Sequence, residues 1–106
     1  MRQIFLATYN SSMRITPTQL QTIQQQIHHY FGDSATVWIF GSRLDDTQKG
    51  GDVDLYVEAG PHRLLDELRC KIGLEERLDI PVDLIVRQSS DISPIAAIAK
   101  KQGQRL

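Results

Sequence analysis

From Asp52 to Glu58 the chain alternates without a break: Val53, Leu55 and Val57 are apolar, while Asp52, Asp54, Tyr56 and Glu58 take the positions between them. Successive side chains of a β-strand point to opposite faces, so a period of two defines a strand with one apolar face and one polar face. The apolar face has to be buried against other elements. The two leading acids must then lie where water, a cation or a ligand can reach them, because an unpaired carboxylate is costly to bury.

The flanking segments supply the elements that such a strand needs. Thr16, Pro17 and Gln19 form a helix start, with a Thr cap, Pro at the first helical position and Gln placed to reach back to the cap. Ile15 and Leu20 fit a hydrophobic staple around it. Leu20, Ile23, Ile27 and Phe31 then recur at helical spacing up to Gly32. Val37 to Phe40 is a continuous apolar run ending at Gly41, the pattern of a central strand. Pro61 is expected to open a second helix with Leu64, Leu65, Leu68 and Ile72 as its apolar stripe, and Gly73 near its far end. Val82 to Val86 reads as a third strand. Ser93-Pro94 starts a short last helix carrying Ile95 and Ile98, with Lys100 and Lys101 in its final turn and Gly103 beyond. The expected order is helix, strand, strand, helix, strand, helix.

A chain of 106 residues, 41% hydrophobic and 24% charged, suits one domain spanning residues 1–106 with a single core. Twelve basic and thirteen acidic residues leave a net charge of −1, so no general field would hold a nucleic-acid polymer. Any nucleotide must be bound by a local site. Cys70 has no second cysteine to pair with and reads as a buried core thiol. The absence of a signal-like segment or a long apolar run leads us to expect a cytoplasmic protein with no membrane partner.

Three groups of residues carry chemistry. Gly41-Ser42-Arg43 stands where a buried strand gives way to a polar segment. Glycine there lets the backbone approach a ligand, and Ser42 offers a hydroxyl and an N–H to phosphate oxygens. By itself such a turn can equally be a helix cap. Asp52 and Asp54, two apart in a strand, project from the same face and can share one hard cation or bridge two. Asp83, set within Pro-Val-Asp-Leu-Ile-Val, must meet solvent, a cation such as Arg43 or Arg87, or a metal. Together the three acids make the set required for two-metal nucleotidyl transfer. His28 and His29 are adjacent on a helix, where side chains diverge, and do not form a metal pair. Trp38 and Phe40 read as core residues, and Tyr56 as structural.

The stretch Phe40-Gly41-Ser42-Arg43, followed by Asp52-Val53-Asp54-Leu55 and by Asp83 in a later strand, resembles the DNA polymerase beta-like nucleotidyltransferase superfamily. Within it the chain is similar to the minimal prokaryotic nucleotidyltransferases encoded beside HEPN-domain toxins. Many of those have Gly and Ser where this chain has Asp46 and Gly51. The resemblance implies an α+β fold, a small mixed sheet with helices packed on one side as in the polymerase palm. It implies two Mg2+ ions held by Asp52, Asp54 and Asp83, and a nucleoside triphosphate bound by Gly41, Ser42 and Arg43. For the antitoxin-type members it implies transfer of AMP from ATP to a Tyr hydroxyl of a HEPN toxin. Two other readings remain open: a module that neutralises its partner by contact alone, and a small-molecule nucleotidyltransferase completed by a second subunit.

Overall fold

Thr16 caps the first helix as its sequence requires: its Oγ1 accepts from Gln19 N at 3.1 Å, and its own N–H donates to Gln19 Oε1 at 2.8 Å. This reciprocal cap satisfies two N–H groups that the helix cannot pair internally. The computed structural model describes residues 15–40, 53–90 and 92–106. In it, α1 runs Pro17–Phe31 and buries Leu20, Ile23 and Ile27. Ile15 is buried beside them. The helix stops at Gly32, whose φ of 91° suits a residue without a Cβ and whose N–H donates to His28 O at 2.9 Å.

Three of the four strands among the described residues follow the expected pattern, and the fourth was not expected. β1 (Thr36–Phe40) pairs antiparallel with β2 (Val53–Glu58), and β2 pairs in parallel with β3 (Val82–Arg87). A two-residue β4 (Gln104–Arg105) adds antiparallel to the other side of β1, giving the sheet order β3-β2-β1-β4. The parallel step from β2 to β3 needs a crossover, supplied by α2 (Leu64–Leu78). The last helix, α3, runs Pro94–Gln102. This is an α+β fold with a mixed sheet. Among the described residues, no helix is long and apolar enough to cross a membrane.

One face of the sheet carries Val37, Ile39, Val53, Leu55, Val57, Val82 and Val86, and packs against Leu20, Ile23 and Ile27 of α1 and Cys70, Leu74 and Leu78 of α2. Burial pushes the Cys70 thiol up to about 12, so it stays an inert thiol at neutral pH.

α2 uses a different face from the one its largest side chains suggest. Leu64, Leu65, Leu68 and Ile72 are 69%, 44%, 48% and 54% exposed, while Cys70, Gly73, Leu74 and Leu78 are buried. The reason lies in how closely the helices approach. A Cβ on Gly73 would come 2.9 Å from Gln26 Oε1 of α1, so the two helices approach closely at Gly73, which lies inside the helix, with Cys70, Leu74 and Leu78 filling the rest of the inner face. Leu68→Ser is therefore expected to change stability by no more than about 0.5 kcal/mol, as for an ordinary surface site. A urea denaturation curve checks this, and a loss of several kcal/mol would show that the stripe is covered in the free protein.

The helices also do not all lie on one side. The opposite sheet face bears Trp38, Phe40, Tyr56 and Ile85, too much apolar surface to leave wet, and α3 covers it with Ala96 and Ala99. Alanines let a short helix sit close to the aromatic rings, so Ile98 is left 44% exposed. Tyr56 is fully buried there, in the structural role expected of it. Lys100 anchors the same helix by pairing with Glu58 and standing 5.5 Å from the Trp38 ring centre. At the helix end, a Cβ on Gly103 would run into Ala99 O and come 2.9 Å from Ile39 O, so only glycine lets the chain turn back onto β1.

Candidate active site

Strand register arranges the face opposite the main core in rows. The middle row, Trp38, Tyr56 and Ile85, lies beneath α3. The row at one end consists of Phe40, Asp54 and Asp83, because Phe40 is the partner of Asp54 across the antiparallel pair and Asp83 is its partner across the parallel pair. Neighbouring strands run about 4.8 Å apart, so the two acids stand side by side on one face. Asp54 is half-buried and Asp83, on the edge strand, is exposed. Their backbone neighbours Val53 and Val82 point the other way, into the core.

This placement bears on two questions left open by the sequence. Arg87 sits four residues beyond Asp83 in the same strand, about 13 Å along the backbone, in the row of Glu58. Phe40, the residue before Gly41-Ser42-Arg43, is level with Asp54, so the chain leaves β1 beside the acids. Gly41, Ser42, Arg43 and Asp52 themselves lie outside the described residues. Among the described residues no three metal-ligating side chains gather. The two acids brought together are oxygen donors on one face, the donor chemistry that a hard divalent cation takes.

A second titratable group, unmarked by any sequence signal, organises the opposite end of the sheet. His62 Nδ1 lies 2.8 Å from Gly60 O and Nε2 lies 2.7 Å from Glu67 Oε2, joining the end of β2 to the first turn of α2. Its ring also meets Phe31 edge-on at 5.1 Å. Only the imidazolium has two N–H donors to serve both acceptors. The Gly60 carbonyl, followed by the Glu67 carboxylate, raises its pKa above 6.5 against the opposing effect of burial. A raised folded pKa adds stability that is fully present below the unfolded value and fades as pH rises through the folded one. Melting temperature should therefore decline as pH rises above the ordinary histidine value of 6.5, and His62→Gln should flatten that slope. An identical slope in the variant would dismiss His62 as its source.

Comparison with known proteins bears on the same residues. Residues 20–106 match the family model of the nucleotidyltransferase domain, a span that includes Gly41, Ser42, Arg43, Asp52, Asp54 and Asp83. No curated protein sequence matches. Among solved structures the chain is similar to one in a crystal structure of the toxin-antitoxin MntA-HepT, with 21% identity, a TM-score of 0.52, and coverage of 80% of this chain and 69% of that one. That likeness is one of fold. With the family model spanning most of the sequence and two acids in register on one face of the sheet, the chain belongs to the nucleotidyltransferase domain family.

Proposed function

We propose that this chain, as a single domain over residues 1–106, transfers AMP from ATP to a Tyr hydroxyl of a HEPN-domain toxin in the cytoplasm and acts as its antitoxin. The observation that carries this reading is the register of Asp54 with Asp83 on one face of the sheet, level with Phe40 at the end of β1. Two Mg2+ ions, when bound, would supply charge stabilisation at the triphosphate and lower the barrier to attack by a hydroxyl. Asp52 and Asp54 would hold both ions, and Asp83 the one nearer the acceptor. Ser42 and Gly41 would hold the terminal phosphates, with Arg43 adding a cation beside them. In the transfer, the acceptor oxygen bonds to the α-phosphorus as its bond to the pyrophosphate oxygen breaks. The hydroxyl proton passes to the Asp83 carboxylate. Most of the acceleration would come from positioning and electrostatic stabilisation.

A protein acceptor is supported by two features. Asp83 is exposed on an edge strand, so the acceptor side opens directly to a macromolecule. The uncovered Leu64, Leu65, Leu68 and Ile72 stripe is apolar surface of the kind that protein partners cover, and the similar solved structure is a toxin-antitoxin pair. The test is the mass of a HEPN-domain partner after incubation with this protein, ATP and magnesium, with a pull-down of the complex alongside. One added AMP supports the enzyme. Full neutralisation of the partner without added mass would favour a module acting by contact, and transfer to an aminoglycoside alone would favour a small-molecule enzyme.

A further inference from the structure

β3 is an edge strand, so the peptide that leads into it must find one partner inside the sheet and another outside it. In the Pro81-Val82 peptide, Pro81 O points inward and accepts from Val53 N at 2.9 Å. The N–H of a trans peptide points opposite to its C=O, so Val82 N–H faces outward, off the sheet edge. There it donates to Glu75 Oε2 at 2.9 Å, the carboxylate reaching down from α2. Lys71, one turn earlier on α2, donates to the same oxygen at 2.9 Å and fixes the carboxylate's orientation. The peptide is thus held from both sides, and the residues it joins are critical ones: Val53 lies between Asp52 and Asp54, and Val82 immediately precedes Asp83.

The helix that bears Glu75 is itself closed at this point. Asp79, in the left-handed region at φ 58°, ends α2 with its N–H donating to Glu75 O at 2.9 Å. Glu75 therefore holds both the turn that leaves the helix, through its backbone, and the strand that the turn leads into, through its side chain. Val82 and Val86 fill the core with their side chains and set the face and register of β3, and the bond to Val82 N–H adds an anchor at the strand's first residue, next to Asp83.

We propose that Glu75 is a positioning residue for the acid pair: its carboxylate, braced by Lys71, clamps the Val82 N–H and holds Asp83 level with Asp54. The inference rests on the reading above, in which these acids bind divalent metal, and it adds a residue that touches neither metal nor nucleotide. Loss of the clamp lets the start of β3 fray, which loosens the alignment of the two carboxylates without dismantling the core.

The experiment is titration of Mn2+, with ATP present, followed by water-proton relaxation, on the full-length protein as wild type, Glu75→Ala, Glu75→Gln and Thr16→Ala. The last variant removes a remote helix cap and controls for general destabilisation. Glu75→Ala is expected to weaken Mn2+ binding about 10-fold, the scale of losing a supporting contact behind a metal ligand. Glu75→Gln keeps an acceptor oxygen for Val82 N–H and should restore most of the affinity, and Thr16→Ala should bind as wild type does. Wild-type affinity in Glu75→Ala would overturn the proposal, as would equal losses in Glu75→Ala and Thr16→Ala. If the wild-type protein itself bound no Mn2+ with ATP, the metal reading would fail first and the positioning role with it.

Discussion

Asp54→Asn is expected to abolish metal-dependent triphosphate binding and with it transfer, a loss of at least about 10²-fold, while Asp83→Asn should keep triphosphate binding and lose transfer to a similar degree. The two variants separate because the proposed roles differ: Asp54 would serve both ions and Asp83 only the one beside the acceptor. Neither change removes a core side chain, since both acids lie on the face turned away from α1 and α2. They also stand directly opposite each other, and neutralising one of two adjacent carboxylates relieves repulsion in the metal-free protein. Stability should accordingly move by no more than about 1 kcal/mol in either variant. Nucleotide affinity by calorimetry, partner mass and melting temperature, measured on one preparation, give the pattern. Normal transfer by Asp54→Asn would remove it from the metal site.

The second large effect is on stability. Leu74→Ala should cost about 2–5 kcal/mol, the range for truncating a buried leucine, out of a total of perhaps 5–15 kcal/mol for a small domain. Leu74 is fully buried in the core cluster between the helices and the sheet. Leu68, six residues earlier on the same helix, should cost almost nothing. The contrast between the two urea midpoints tests which face of α2 is turned inward, and equal costs would contradict the orientation described here.

That contrast also marks the limit of what the sequence discloses. Strand positions were legible because a period of two leaves little choice: Val53, Leu55 and Val57 went to one face as their alternation requires. The cap at Thr16 was legible because its bonds are local in sequence. The inward face of α2 was not, since the apolar periodicity favoured the large Leu64, Leu65, Leu68 and Ile72, while the face packed against α1 and the sheet is that of Cys70, Gly73, Leu74 and Leu78. The position of α3 was hidden for a related reason. Ala96 and Ala99 look unremarkable beside Ile95 and Ile98, yet they fit against Trp38 and Tyr56 where a larger side chain would not. For the site, Asp54 and Asp83 could be named from residue type, but their alignment is a matter of parallel register that no local pattern encodes. His62 bonds Gly60 and Glu67 close by and Glu75 bonds the backbone of β3, and neither set of partners forms a motif that the sequence announces.

The helical crossover between β2 and β3 has a kinetic consequence. Asp54 and Asp83 are distant in sequence and become neighbours only once α2 has packed and β3 has docked beside β2, a pairing that closes a long loop before it is rewarded. A chain with its first helix and its β1–β2 hairpin formed would carry Asp52 and Asp54 but no complete acid set. The full metal set would therefore recognise the folded domain and not the unfolded chain, and each bound ligand would shift the folding equilibrium toward the native state. The site doubles as a reporter of its own assembly: the complete acid set, and with it transfer to the acceptor, exists only once the edge strand is paired with β2.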